Sequence, residues 1–453
     1  MTNSQQAIYD ARTLGRGKML TLGLQHMFAM FGATVLVPVI TGLSMSATLL
    51  FAGLGTLIFH LLTKMRVPAF LGSSFAFLGG YAAVVSMGAQ EGLSAAESLP
   101  YACIGVFSAG IIYFVLAGLI SAFGAKKVMR FFPPIVTGPI IIAIGLTLSG
   151  SAIQNCNSNW WIALLAIAII VVCNIWGKGM IRIIPILLGV LGSYLVAACF
   201  GLCDFSAVKD AAWFGAPFQW ENTAFHVFQN PSWGLIVSAI IAIVPISLAT
   251  MMEHIGDMSA ISATVGENFI EDPGLHRTLI GDGLATAFAG MFGGPANTTY
   301  GENTGVLELS RVHDPRVIRI AAVFAVILSF IPKMAEIIGS MPSAIIGGVS
   351  FMLYGMISAI GVRNVVENHV DFTKSRNLII AAVILVSGLG FSDGLTFTIA
   401  GTSITLTGLA IAALAGIILN AILPGKDYHF GDDPKADANR GLDMNPIQEE
   451  DIQ

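Results

Sequence analysis

The chain has 453 residues, of which 55% are hydrophobic and only 11% are charged. Its long apolar runs exclude a soluble globular protein, because a helix needs about 20 apolar residues to cross the hydrocarbon core of a bilayer. The net charge of -5 includes no basic run, which argues against nucleic-acid binding. The five cysteines lie mostly in apolar segments without metal-ligand spacing, so we expect no metal site.

Taken in chain order, the apolar segments predict an all-α membrane protein with 14 transmembrane segments. The first segment is followed by many others, which favours a retained span over a cleaved signal peptide. The predicted segments are 19–41, 46–63, 67–88, 100–124, 132–152, 159–176, 183–203, 234–263, 279–293, 295–309, 317–340, 342–361, 377–392 and 405–424.

The basic residues fix the predicted orientation. If the N-terminal segment with Arg12, Arg16 and Lys18 is cytoplasmic, 14 alternating spans place nearly all other Lys and Arg residues in cytoplasmic loops. Lys209, in the long loop, and Lys333, near the outer end of a span, are the exceptions. Both termini are therefore predicted to be cytoplasmic, and the acidic tail from 425 is predicted to be disordered.

The loop at 204–233 divides the chain into seven spans and seven spans, which predicts two halves of opposite orientation. Short echoes fall at matching places in the halves. "LQHMFAMFG" in the first span resembles "MEHIGDMSA" in the eighth, and "PPIVTGPI" resembles "PSAIIGGV". Such 7+7 inverted repeats are typical of secondary transporters, whose binding sites lie near the bilayer midplane.

Spans 3 and 10 are predicted to be interrupted helices. They contain "GSSFAFLGG" and "GGPANTTYGEN", which are rich in Gly, Ser, Thr and Asn. Unpaired backbone groups are costly in lipid, so we expect short extended strands that pair with each other inside the protein. Loose packing of small residues at helix contacts is the alternative interpretation.

Acidic residues inside predicted spans are candidates for function. A carboxylate in a span costs about 2.5–3.5 kcal/mol even on a lenient scale, so it usually faces the protein interior. Glu253, Asp257, Asp282 and Glu302 are such residues, and Glu253 and Asp257 share one helical face. They are predicted either to carry a proton with a substrate or to serve as buried polar clamps between helices.

The chemistry of these residues suits a small, planar, neutral molecule that has both N–H and C=O groups. Carboxylates accept hydrogen bonds, and backbone N–H groups around Phe75 and Gly301 donate them. Phe75 or Tyr300 would lie beside the ring face. An anion is disfavoured because no basic residue lies at midplane depth, and an enzyme is disfavoured because no nucleophile elbow, metal cluster or phosphate-binding loop appears.

The segment "ENTGVLELSR" (302–311) resembles the signature of the nucleobase/ascorbate transporter family. Glu302, Asn303, Gly305 and Arg311 match that signature, whereas Ser310 stands where Thr is usual. The segments "LQHMFAMFGATVLVPV", "PAFLGSSFAF", "EHIGD" and "DPGLHR" resemble the branch of that family that carries uracil in bacteria.

This resemblance implies a core domain (spans 1–4 and 8–11) and a gate domain (spans 5–7 and 12–14). The corresponding divisions are the N-terminus 1–18, core 19–124, gate 132–203, extracytoplasmic loop 204–233, core 234–340, gate 342–424 and tail 425–453. It further implies proton-coupled import of a nucleobase through the bacterial cytoplasmic membrane by alternating access, in a homodimer within the lipid bilayer, with no cofactor beyond the proton gradient.

The resemblance also implies the residues of the site. Glu253 and Glu302 would hydrogen-bond the base, together with the backbone N–H groups of Phe75 and Gly301. Ala33, Tyr300 and Tyr354 would line the pocket.

Proton coupling would involve Glu302, Glu253, Asp257 and Asp282. Asp257 and Asp282 look more like the xanthine branch of the family, while Glu302 looks like the uracil branch. Uracil is therefore the expected substrate, with xanthine as the alternative and an anion exchanger or channel as a second alternative.

Overall fold

The computed structural model describes residues 7–391, 394–399 and 402–425. Residues 1–6 of the predicted N-terminal segment and all but the first residue of the predicted tail lie outside these ranges. Within them, the regular structure is almost entirely α-helical.

Helices of the first half follow the predicted order. They are α1 (Arg16–Thr41), α2 (Met45–Leu62), α3 (Leu78–Gln90), α4 (Ala95–Phe123), α5 (Ala125–Met129), α6 (Pro134–Cys156), α7 (Trp160–Ile175), α8 (Met180–Ile183), α9 (Pro185–Cys199) and α10 (Ser206–Asp210). The strand β1 (Leu71–Ser73) lies between α2 and α3.

The second half of the chain is also largely helical. They are α11 (Trp233–Ile243), α12 (Ile246–Val265), α13 (Leu275–Met291), α14 (Gly301–Ser310), α15 (Pro315–Ser329), α16 (Pro332–Gly339), α17 (Ser343–Glu367), α18 (Ser375–Gly390) and α19 (Gly408–Ile422). The strands are β2 (Asn297–Thr299), before α14, and the pair β3 (Leu395–Ile399) and β4 (Thr402–Leu406), before α19.

Several of these helices can span a membrane. By length and composition, the described residues contain six such helices, or seven if the bent pair α15 and α16 counts as one span, together with five shorter apolar helices. Each predicted segment lies on a helix or on a strand followed by a helix. The number of 14 spans and their inverted arrangement stay predictions.

The structure differs from the predicted segments at two places. Segment 317–340 is not one helix, because α15 and α16 meet at an angle of 85°. Pro332 begins α16 and cannot continue the helix before it, since its ring displaces the preceding residue from helical geometry. The hairpin of β3 and β4 was not predicted, although the alternation of Thr and apolar residues in "LTFTI" and "TSITL" is typical of strands.

The bend between α15 and α16 also holds the long loop in place. The N–H of Gly215 donates to the carbonyl of Phe330 at 3.1 Å, and the N–H of Lys333 donates to the carbonyl of Ala212 at 3.2 Å. The Lys333 ammonium lies 4.9 Å from the centre of the Trp213 ring. The loop is therefore fastened to the bend at two backbone positions and one side chain.

The interrupted spans 3 and 10 meet inside the protein. Strands β1 and β2 pair antiparallel, with Gly72 opposite Thr298, and all their residues are buried. Neighbouring side chains bind backbone groups outside the ladder: the N–H of Leu71 donates to Thr56 Oγ1 at 2.9 Å, and the N–H of Ala296 donates to the Tyr81 hydroxyl at 3.0 Å. The polar backbone that a broken helix exposes is thus bound within the protein, as its depth requires.

Glycine allows the helices around this pair to approach closely. A Cβ atom on Gly110 of α4 would lie 2.6 Å from the nitrogen of Ala287 and from the carbonyl oxygen of Gly283, both on α13. Small residues at helix contacts are the usual means of packing in a membrane, where lipid competes equally for apolar surface. The backbone contact between α4 and α13 therefore depends on Gly110.

We expect Gly110→Ala to lower the unfolding temperature of the purified protein by several degrees, because its methyl group must separate α4 from the α13 backbone. Gly118→Ala is the matched control on the same helix, where a Cβ atom meets nothing within 4 Å. Alanine there should be neutral or stabilising, since glycine in a helix costs about 1 kcal/mol. Equal unfolding temperatures for the two variants, measured in detergent, would contradict this packing.

Candidate functional site

The start of α14 follows directly after the buried pair of strands. Gly301 is the first residue of α14 and Glu302 lies in its first turn, directly after β2. The N–H groups of a first helical turn have no partner within the helix, and the helix dipole places partial positive charge there. This helix start can donate hydrogen bonds beside a carboxylate.

A second group of carboxylates reaches the same region from α12. Glu253 and Asp257 lie one turn apart, and the charge of Glu253 interacts with those of Asp257, Asp282 and Glu302. The Thr299 hydroxyl, at the end of β2, donates to Asp257 Oδ2 at 2.6 Å. Helix α12 is therefore joined to the strand that precedes Glu302.

Open space adjoins these carboxylates. Glu253, Asp257 and Glu302 are each partly accessible, while Gly256 and Gly301 are exposed. No atom lies within 4 Å of the position that a Cβ would take on either glycine. Three of the four predicted acidic residues thus face a space that a small molecule or water can enter.

Phe75 and Tyr354 meet beside the interrupted spans. Phe75 begins the short 3-10 helix Phe75–Phe77 after β1, whereas Tyr354 lies on α17. Their ring centres are 6.2 Å apart with an angle of 73° between the planes, an edge-to-face contact. Both side chains are almost completely buried, as is the predicted pocket residue Ala33 on α1.

Tyr300 supports β1. Its hydroxyl donates to the carbonyl of Ser73 at 2.8 Å, and its ring lies so close to Gly72 that a Cβ there would be 2.5 Å from it. The ring is only 4% exposed. The structure therefore places Tyr300 next to the site but with its ring packed against the neighbouring strand.

Asp282 lies apart from the open space. Its side chain on α13 is fully buried, and Asp282 Oδ2 is 3.2 Å from His254 Nδ1. The ring of Phe59 also contacts the His254 ring, with ring centres 6.1 Å apart in an edge-to-face arrangement. This pair joins α12, at the residue after Glu253, to α13, as a polar clamp between helices would.

His26 holds the first turn of α14 through Asn303. The Asn303 amide nitrogen lies 3.2 Å from His26 Nδ1 and donates to the carbonyl of His26 at 3.0 Å. The sequence pattern indicated no role for Asn303 or Thr299 and no contact between His254 and Asp282. Asn303 and Thr299 lie in the same polar stretch as Glu302, and that clustering was the available signal.

In the part of the chain that the structure describes, no group of three or more His, Cys, Asp and Glu residues could hold a metal ion. The polar groups of the site are instead carboxylates, hydroxyls and helix-start N–H groups. This set can bind a neutral molecule with donors and acceptors on its edge, and it can take up and release protons.

Comparison with known proteins identifies the family of the chain. Residues 17–397 match the model of a group described as the Permease family. The chain is 41% identical over 431 residues to the uracil permease of Bacillus caldolyticus, covering 92% of this chain and 94% of that protein. It is 36% identical over 414 residues to the uracil permease of Escherichia coli K12, covering 89% and 90% respectively. These relatives are named as transporters and not as enzymes.

Solved structures resemble the chain in fold. The transmembrane domain of the cyanobacterial bicarbonate transporter BicA has a TM-score of 0.60 at 15% identity, covering 92% of this chain and 99% of that chain. The structure of SLC26A9 has a TM-score of 0.62 at 12% identity, covering 91% and 66%. At such identities the likeness concerns the fold alone, that of a multi-pass helical transporter.

Removing the Asp282 carboxylate tests the role of its contact with His254. We expect Asp282→Ala to lower the free energy of unfolding by about 1–3 kcal/mol, because the buried His254 ring loses its polar partner. Asp282→Asn keeps an acceptor and should lose less. Thermal unfolding in detergent measures both, with Asp210→Ala on the exposed α10 as control. An Asp282→Ala protein as stable as this control would show that the pair has no structural role.

Proposed function

The chain belongs to the permease family, the nucleobase/ascorbate transporters whose signature it carries, and we propose that it imports uracil across a bacterial cytoplasmic membrane as a proton symporter. The observation that carries the proposal is the position of Glu302. It lies at the start of α14, where Gly301 borders open space, in a chain that is 41% identical to two uracil permeases.

Uracil matches the polar groups of this space. Its ring is flat and neutral, and its edge alternates N–H donors with carbonyl acceptors. Glu302 and Glu253 would accept from the ring N–H groups, and the N–H of Gly301 would donate to a ring carbonyl. Phe75 would lie beside the ring face, with its orientation held by the edge-to-face contact with Tyr354.

Proton coupling is inferred from the accessibility of the carboxylates at this site. Several carboxylates that share a small space repel one another when ionised, so protonation of one of them relieves the repulsion. A protonated carboxyl also donates a hydrogen bond, which allows the same residue to grip a ring carbonyl. Glu302, Glu253 and Asp257 are the candidate carriers, whereas the sealed position of Asp282 favours a positioning role.

Alternating access would move a core domain against a gate domain. Helices α1–α4 and α11–α16 would form the core, which holds β1, β2 and the carboxylates. Helices α6–α9 and α17–α19 would form the gate, which contributes Tyr354. The pairing of the two interrupted spans at equivalent places in the halves supports a 7+7 inverted repeat of 14 spans. We further propose a homodimer formed through the gate domains, with both termini cytoplasmic.

Xanthine is the second candidate substrate. Asp257 and Asp282 favour it by resemblance, but Asp282 faces His254 and not the open space. Glu302, which does face that space, favours uracil. Exchange of anions is not supported, because three carboxylates in one space would repel an anion, and the likeness to BicA concerns fold only.

We expect Glu302→Gln to weaken uracil binding roughly 10- to 100-fold, because hydrogen bonds to a charged group contribute about 1.5–3 kcal/mol. Binding of labelled uracil to the purified protein measures this loss. Glu308→Gln lies on the same helix at an exposed position and is the matched control. Unchanged uracil binding by Glu302→Gln would remove this residue from the site.

Proteoliposomes with an inward proton gradient should accumulate labelled uracil above its external concentration, and a protonophore should abolish the accumulation. Accumulation that follows a sodium gradient and ignores the proton gradient would contradict proton coupling.

A competition panel in the same vesicles separates the substrates. Unlabelled uracil should compete best, and thymine, xanthine, hypoxanthine and uric acid should compete less. Preferential competition by xanthine would replace uracil with the second candidate.

A further inference from the structure

Residues 7–14 form a strap across the ends of the helices that carry the site. The N–H of Ile8 donates to the carbonyl of Arg311 at 2.8 Å, and the N–H of His313 donates to the carbonyl of Ile8 at 2.9 Å. Arg311 ends α14 in a left-handed conformation, with φ of 52°. The strap therefore adds one short parallel pairing to the end of the helix that starts at Gly301.

The same strap reaches α12. The Tyr9 hydroxyl donates to the carbonyl of Val265, the last residue of α12, at 2.8 Å, and the N–H of Ala11 donates to Asp314 Oδ2 at 2.7 Å. Hydrogen bonds from Arg12 hold the pKa of Asp10 at about 2, so Asp10 stays ionised at neutral pH beside Arg316, 3.1 Å away. The strap thus links the helix of Glu302 to that of Glu253.

A cavity of about 530 Å³ lies between the strap, α1 and the end of α14. Its polar wall consists of Lys18, Thr21 and Gln25 on one face of α1, with Ser310 and Arg311 opposite. Apolar residues of the strap, such as Ile8, complete it. None of the described residues that line this cavity is acidic, although the whole chain carries a net charge of -5.

The groups on α1 suit an anion. The Lys18 ammonium can bind phosphate as a charged donor, and hydroxyl and amide groups add hydrogen bonds to its oxygens. The volume lies within the range of about 300–1,000 Å³ that is typical of small-molecule sites. The cavity differs in charge from the acidic space around Glu302, so it does not suit the same neutral ligand.

We propose that this cavity binds a phosphate group, carried either by a small phosphorylated metabolite or by the headgroup of an anionic lipid. Its walls are adjacent to the transport site: Gln25 precedes His26, which contacts Asn303, and Arg311 ends the helix that begins beside Glu302. A ligand held between α1 and α14 therefore changes the affinity for uracil, and uracil changes the affinity for the ligand by the same factor. Only this coupling rests on the proposed function.

The full-length protein in nanodiscs of phosphatidylcholine provides the test. Inorganic phosphate and uridine monophosphate are titrated separately, and a parallel set of nanodiscs contains phosphatidylglycerol. The unfolding temperature reports binding at the cavity, and labelled uracil reports the transport site in the same samples. We expect a saturable rise in unfolding temperature with at least one phosphate source, and roughly tenfold weaker binding in Lys18→Gln.

Arg16→Gln is the matched control, because Arg16 is an exposed neighbour that does not line the cavity. A rise in unfolding temperature with phosphate or the nucleotide identifies a soluble ligand. A rise only with phosphatidylglycerol identifies a lipid. Either result supports the site if Lys18→Gln reduces the rise. Absence of any rise, or equal reduction by Arg16→Gln, overturns it. If the protein does not bind labelled uracil but its unfolding temperature still rises with phosphate, the proposed function is refuted and the cavity assignment stands.

Discussion

The structure depends on the pairing of two strands that interrupt membrane-spanning segments. Backbone groups that leave a helix inside a bilayer cost several kcal/mol each when they have no partner. Leu71–Ser73 and Asn297–Thr299 supply that partner to each other, and hydroxyls such as those of Thr56 and Tyr81 bind the groups at the edges. Because β2 ends at Thr299, this pairing also determines where α14 starts, and hence where Glu302 and the N–H of Gly301 are presented.

The acidic residues divide into two kinds according to their surroundings. Glu253, Asp257 and Glu302 border open space, so water or a substrate can reach them. Asp282 instead contacts His254 inside a sealed region between α12 and α13. Carboxylates of the same chemistry therefore occupy two settings, one beside open space and one between packed helices. The sequence pattern and the resemblance both grouped all four together, since neither indicates the direction in which a side chain points.

Composition and local pattern were sufficient to predict the helices, the two interruptions and the residues around Glu302. These features follow from short-range constraints: an apolar run in lipid favours a helix, and a stretch such as "NTTY" does not. The contact of His254 with Asp282 and the packing of Tyr300 against Gly72 join residues distant in sequence, so no local pattern reveals them. The β3–β4 hairpin escaped prediction because its apolar residues extend the hydrophobic character of the spans on either side.

The loop after α10 and the bend before α16 have a mechanical consequence. In the proposed division, the loop is the extracytoplasmic connection from gate to core, and the bend lies in the last span of the core. Backbone hydrogen bonds at Gly215 and Lys333 join the two. The loop from Ala212 onward would therefore move with the core. Only the stretch between the end of α9 and Ala212 would remain to follow a displacement of the core relative to the gate. The length of that stretch would then limit how far the two domains can separate at the outer face.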